Sequence, residues 1–167
     1  MTNKLVKMAK AGNKEAFNQL IIHYQNDLYR IAKSRLYNED DVCDAIQETI
    51  LTAYQSIDKL VKTSSFKAWI IKILINNCNK IYQTNKTSTS LFTENDLSLS
   101  YGLESNLEFL NLMNSLSIDE RTIFILYYQD GYSTKEISKI LDINHNTVRS
   151  KMLRAKSKLE NILKEVL

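Results

Sequence analysis

The sequence predicts an all-α protein made of two small helical domains, an N-terminal helical bundle and a C-terminal helix-turn-helix bundle, joined by a flexible linker. Three observations predict it. The 167 residues contain no proline and only three glycines, so long helices can run unbroken. Apolar residues recur at three- and four-residue steps, and no alternating strand pattern or internal repeat is found. Composition changes abruptly at residues 84–100, TNKTSTSLFTENDLSLS, which are rich in Ser, Thr and Asn and carry few large apolar side chains. The expected boundaries are 1–83 for the first domain, 84–103 for the linker and 104–167 for the second domain.

The elements follow in order. Phe17, Leu20, Ile21, Tyr24, Leu28 and Ile31 predict an amphipathic helix over about 14–36. Asp40 or Asp41 is expected to cap the next helix, whose apolar stripe is Val42, Ile46, Ile50, Ala53 and Ile57. Asp44, Gln47, Glu48, Leu51 and Gln55 stack on its opposite face. Ser64 or Ser65 opens a third helix to about Tyr82. Its middle, Trp69 to Ile75, is apolar almost all round, as in a central helix. One polar strip remains, formed by Lys72, Asn76, Asn79 and Gln83. Beyond the linker, Leu107, Leu110, Met113 and Leu116 resume helical spacing. Residues 119–130 predict a helix with Ile123, Phe124 and Tyr127 inward, ended by Gly131. Ser133 with Glu136 spells a capping box for a short helix to Leu141. Asn144 caps a last helix with the stripe Val148, Met152, Ala155, Leu159 and Ile162.

Net charge is only +3, but the charges are segregated. Residues 39–48 hold five acids and no base; residues 59–86 hold six lysines and no acid; residues 145–164 hold six Lys or Arg against Glu160. Such blocks fit partners of opposite sign. Cys43 and Cys78 have no metal-ligand spacing and fit a reducing compartment. No signal peptide or membrane-length apolar run is evident, so a cytoplasmic protein without membrane insertion is expected. His23 and His145 are the only histidines, and neither belongs to a nucleophile, metal or phosphate-loop pattern. No catalytic residue, cofactor or metal is expected.

The sharpest local signal lies at residues 134–159. A helix bearing Ile137, Ile140 and Leu141 meets the tight turn Asp142-Ile143-Asn144, and Ile143 can plug the corner. The second helix opens with Asn146, Thr147, Arg149, Ser150, Lys151 and Arg154, a polar and basic half suited to the major groove. Asp142 stands where many such turns have Gly, and Asp tolerates a left-handed backbone better than most residues. These features alone also fit a repressor or response-regulator output module that binds duplex DNA unaided.

The whole chain resembles the extracytoplasmic-function sigma factors, the small two-domain group of bacterial sigma factors. The first half carries Ala16-Phe17, Tyr24, Asp44-Ala45-Ile46-Gln47-Glu48-Thr49, Ala53-Tyr54, Phe66-Lys67-Ala68-Trp69-Ile70 and Asn76. The second carries Leu116, Asp119-Glu120-Arg121, Gly131-Tyr132-Ser133, Glu136-Ile137, Asn146-Thr147-Val148-Arg149-Ser150 and Arg154-Ala155.

The resemblance implies a transcription initiation factor that binds core RNA polymerase, with the β′ clamp helices and the β flap as contacts, and promoter DNA. It implies an anti-sigma factor as a further partner. Asp44, Gln47, Glu48 and Leu51 would dock on the clamp helices. Lys62, Thr63, Ser64, Ser65, Lys72, Asn76, Asn79 and Lys80 would read the −10 element as a melted strand, amides and hydroxyls on the base and lysines on phosphates. Asn146, Thr147, Arg149, Ser150, Lys151 and Arg154 would read the −35 element as duplex. Trp69 and Phe66 are assigned to the core rather than to base stacking.

Overall fold

A computed structural model describes residues 2–88 and 112–166 of the chain. The first helix, α1 (Thr2–Lys10), is not anticipated by the sequence reading. Its stripe is short, yet Val6 and Ala9 are buried against the next helix. Gly12, with φ at +90°, turns the chain out of α1. Asn13 then caps α2 (Lys14–Arg35), its side chain accepting from the Ala16 N–H at 2.9 Å. Helix α3 (Glu39–Ser56) is capped by Asn38 rather than by Asp40 or Asp41. Asn38 takes both their amide hydrogens, at 2.7 and 3.4 Å. The acids thus fall in the first helical turn, where the helix dipole favours negative charge.

Helix α4 (Phe66–Ser88) crosses the middle of the N-terminal half, packed on α2 and α3. Ile70, Ile71, Leu74, Ile75 and Cys78 are all buried, as an apolar helix requires. Asn77, also buried, donates to Thr49 Oγ1 at 3.1 Å and ties α4 to α3. Residues 84–88, expected in the linker, instead continue α4. Thr84 and Thr87 turn their hydroxyls back to the carbonyls of Lys80 and Gln83, at 3.0 and 3.2 Å. Asn85 donates to Asp41 Oδ2 at 2.7 Å. Polar side chains here support a helix that periodicity could not see, because the face carries no apolar stripe. The remainder of the expected linker, with Leu107 and Leu110, lies outside the described residues.

In the C-terminal half, Ser117 and Glu120 form a capping box for α5 (Ile118–Tyr128). Ser133 and Glu136 form the expected one for α6 (Thr134–Leu141). The final helix is α7 (His145–Val166), and Asn144 accepts from the Asn146 N–H at 2.8 Å. Tyr127, expected inward, is 38 % exposed, while Ile125 and Leu126 take the inner positions.

The two halves are packed together. One continuous buried cluster runs from Val6, Leu20 and Ile70 through Ile123, Leu126, Ile137, Ile140 and Val148. Helix α5 leans on α2, and α6 leans on α4. Arg121, 2 % exposed, sits at this seam without a carboxylate partner. Its guanidinium donates to the carbonyls of Met113, Ser34 and Leu116 at 3.0, 3.2 and 3.1 Å and lies 5.6 Å from the Tyr37 ring centre. Three carbonyl acceptors replace the water that a buried cation loses.

Candidate polymerase and nucleic-acid interfaces

Helix α3 buries Val42, Ala45, Thr49 and Ala53 and turns Asp44, Gln47, Glu48 and Leu51 outward. All four expected docking residues are exposed, and Leu51 is 50 % accessible. Tyr54 lies beyond Leu51, its ring packed edge-on against Phe17 with centres 5.2 Å apart. Phe17, Asn18, Gln47, Ile50, Leu51 and Tyr54 line a shallow recess beside the acids. A carboxylate pair next to an apolar dent can take a basic, partly apolar helix. Exposed Cys43 belongs to the same helix.

The second face begins at the loop before α4. The Leu60 N–H bonds the Ile57 carbonyl at 3.2 Å, and Lys10 of α1 donates to the Leu60 carbonyl. Residues Thr63–Ser65 form a 3-10 turn, braced by the Ser65 N–H on the Lys62 carbonyl at 3.0 Å. Lys62 and Ser64 are exposed, and Thr63 and Ser65 are half-buried. Phe66 is buried and Trp69 is half-buried against the core, their rings 5.8 Å apart, which fits a packing role.

Along α4, Asn76 and Lys80 are exposed, but two expected strand readers are already engaged. Lys72 Nζ donates to the Lys139 carbonyl of α6 at 3.2 Å. Asn79 Oδ1 accepts from Arg35 at 2.7 Å. Nearby Cys78 is buried, and that burial pushes its thiol up to about 12 despite the Arg35 charge.

The third face is on α7. Asp142 ends α6 with φ 56° and ψ 44°, the left-handed conformation expected for the turn. The Ile143 N–H then closes on the Ser138 carbonyl at 3.1 Å. Ile143 is half-buried against the core, as a corner plug should be. Val148 and Ala155 are buried, so Asn146, Arg149, Ser150 and Arg154 emerge on the solvent side. Thr147 is half-buried and accepts from Ser150 Oγ at 3.0 Å through its carbonyl. His145 Nε2 pairs with Thr134 Oγ1 at 2.8 Å, fastening the start of α7 to the start of α6.

Lys151 differs from its neighbours. Its ammonium bonds Asp119 Oδ2 of α5 at 3.0 Å. Burial works to raise the Asp119 carboxyl, but Lys151 and Arg35 outweigh it and hold the group below its ordinary range. Further along α7, Lys158 bonds Glu120 Oε2 at 2.8 Å and so braces α7 on α5.

Sequence reasoning missed the polar residues of the seam. Asp130 has only 1 % of its side chain exposed and accepts from Lys67 at 2.8 Å and Arg30 at 3.1 Å. Asp27 joins them, 2.7 Å from Arg30 and 2.9 Å from Lys67. Arg35 donates to Thr122 Oγ1 at 2.9 Å and lies 3.3 Å from Asp119. Asp119 and Arg121 stood within a quoted motif, but nothing in it told that they would meet the other half. Among the described residues, no group of His, Cys, Asp and Glu could hold a metal ion, and no helix is long and apolar enough to cross a membrane.

The family model "Sigma-70 region 2" matches residues 20–87, and "Sigma-70, region 4" matches residues 106–159. The ECF RNA polymerase sigma-E factor of Haemophilus influenzae is 29 % identical over 176 residues, covering 94 % of this chain and 92 % of that protein. Its counterpart from Escherichia coli K12 is 29 % identical over 175 residues, covering 94 % and 91 %. Two solved structures share the fold. CnrH in complex with the cytosolic domain of CnrY has a TM-score of 0.72 at 24 % identity, covering 98 % of this chain and 97 % of that one. The sigma factor RpoE in complex with the anti-sigma factor NepR from Bartonella quintana has a TM-score of 0.72 at 23 % identity, covering 89 % and 96 %.

Proposed function

The chain belongs to the sigma-70 family, in its extracytoplasmic-function group of RNA polymerase sigma factors, and from that premise we propose how its three faces divide the work of starting transcription. Asp44, Gln47, Glu48 and Leu51 of α3 dock on core polymerase. Lys62, Thr63, Ser64, Ser65, Lys72, Asn76, Asn79 and Lys80 hold the melted −10 strand. Asn146, Thr147, Arg149, Ser150, Lys151 and Arg154 meet the −35 duplex. Residues 89–103, past the end of α4 at Ser88, serve as the tether between the docking half, which ends with α4, and the duplex-reading domain 104–167.

One observation carries this reading: a single chain exposes an acidic helix face on α3 and a basic recognition face on α7. As a sigma factor the chain positions, and the polymerase does the chemistry. Phosphate contacts from Arg149 and Arg154 give salt-dependent attraction, and side chains over base edges give sequence choice. Capture of unstacked bases favours the melted promoter over the closed one. Two weak readers on one enzyme raise each other's effective concentration. The workplace is the cytoplasm, where core polymerase is found. An anti-sigma factor is a fitting regulator, as NepR is the partner of RpoE in Bartonella quintana.

The test is reconstitution with core polymerase, read by run-off transcription and pull-down. Arg149→Ala with Arg154→Ala abolishes promoter-specific transcripts and leaves polymerase binding intact. Asp44→Lys with Glu48→Lys weakens polymerase binding while helicity is kept. Undiminished transcripts from the first pair, or normal polymerase capture by the second, would overturn the corresponding assignment.

A further inference from the structure

Helix α1 has no part in the three faces, yet its charge is one-sided. Residues 1–14 contain Lys4, Lys7, Lys10 and Lys14 and no acid; the first carboxylate side chain is Glu15. Val6 and Ala9 are the buried residues of α1, and that small apolar stripe docks it on the bundle without calling on any lysine. Lys4, Lys7 and Lys10 follow at three-residue steps and so stack along one flank, over about 9 Å at a rise of ~1.5 Å per residue.

The last of the three fixes where that flank lies. Lys10 donates to the Leu60 carbonyl, and α1 packs against both 3-10 turns that frame the loop, Ile57–Lys59 and Thr63–Ser65. Lys7 and then Lys4 therefore lead away from the root of the loop that carries Lys59, Lys62 and Ser64. Lys4, Lys7, Lys59 and Lys62 are all exposed, and among the described residues none of their ammonium groups has a partner. By contrast, Lys33, Lys67, Lys151 and Lys158 are each held by a carboxylate. Asp58 is the single acid between Ile57 and Ser65. Four unpaired cations on adjoining elements make a positive potential that nothing in the fold consumes.

We propose that α1 is a phosphate track: Lys4 and Lys7 hold the backbone of the unpaired DNA strand where it runs on from the bases taken at Thr63–Ser65. The proposal rests on the strand-reading role given to that loop above. Because the loop takes unpaired bases, the backbone that reaches α1 is single-stranded. Stacked lysines meet phosphates as point charges and do not choose among bases. The track thus adds affinity for the melted strand, in a salt-dependent way, and leaves sequence choice to the loop.

The test compares the wild-type chain, Lys4→Gln with Lys7→Gln, and Lys4→Arg with Lys7→Arg, each assembled with core polymerase. The probe is a fluorescein-labelled non-template-strand oligonucleotide from a promoter that the wild-type holoenzyme transcribes. It is made as the −10 element alone and with several more nucleotides on either side. Losing two phosphate contacts should weaken binding of one extended probe about tenfold near physiological salt, and lower the slope of log K against log salt by about 1.4. The arginine pair should restore both, and the short probe should bind all three proteins alike. Helical circular dichroism should be the same in all three. A glutamine pair that binds the extended probes as the wild type does, with the same salt slope, overturns the proposal. So does a loss of affinity for polymerase without DNA, which would put the lysines on the enzyme. Equal weakening on the short probe confines the lysines to the −10 bases and overturns a track beyond them. If the wild-type holoenzyme selects no start site, the proposed function itself fails and the track falls with it. Should the glutamine pair lose helicity, Lys4→Gln alone carries the comparison, with half the change in slope.

Discussion

Asp142 occupies the left-handed region at φ 56°, a conformation that crowds a β-carbon against its own carbonyl. Glycine escapes that crowding, and a β-branched residue suffers it most. Asp142→Val should therefore lower stability by about 1–2 kcal/mol, whereas Asp142→Gly should be neutral or slightly stabilising. Urea denaturation followed by circular dichroism measures both. Equal midpoints for Val and Gly would mean that the turn relaxes out of the left-handed region. Arg121 presents the opposite case, since its cost lies in what it satisfies. Replacing it with Met removes donors from three carbonyls at the seam and should cost about 3 kcal/mol. A loss below about half a kcal/mol would show that water takes its place without penalty.

At the scale of elements, much was legible. Helices α2, α3, α6 and α7 follow from apolar spacing and capping residues, and the Ser133–Glu136 box is formed as read. Helix α1 was overlooked because nine residues offer a stripe too short for a periodicity window. The last turns of α4 were overlooked because polar side chains support them. Of the proposed faces, the exposure of Asp44, Gln47, Glu48, Arg149 and Arg154 was legible, since each lies opposite an apolar stripe. Lys151 could not be distinguished from Arg149 by sequence, since only the placement of α5 gives it Asp119. The pH response belongs to this scale too. Asp27, Asp119 and Glu120 are held below their ordinary values against the upward pull of burial, chiefly by bonds from Lys67, Lys151 and Lys158 respectively. Their stabilisation is present above the unfolded-state values and disappears as pH falls through the lowered ones. Lys67 is shifted the other way: burial lowers it, but Asp130 and Asp27 prevail and raise it above 10.5. Its stabilisation is complete below that value and disappears as pH climbs past it. Thermal midpoints should accordingly be level near neutrality and drop below about pH 4 and above about pH 10.5. A midpoint that falls steadily from pH 8 to pH 6 would contradict these assignments.

For the molecule as a whole, the continuous core makes a thermodynamic claim. Ile123, Ile137 and Ile140 are fully or almost fully buried in the same cluster as Ile70 and Leu74. Both halves should therefore unfold together, in one calorimetric transition whose enthalpy agrees with its van't Hoff value. Asp130→Lys should divide that transition into two. Two transitions in the wild type would mean that the halves are already independent. This coupling was not readable from the chain. Arg30 and Lys67 have the spacing of ordinary solvated charges, and an α5 face that packs on another module looks like one that packs within its own.

The two thiols have a practical consequence. The sequence has only Cys43 and Cys78, and Cys78 is buried, with its thiol pushed up to about 12. A maleimide dye at neutral pH should therefore attach at one place, Cys43, adjacent in sequence to Asp44. The unmodified protein thus carries its own attachment point for a fluorophore, on the helix assigned to enzyme docking. Emission from that dye can time assembly at the bench without a single engineered residue.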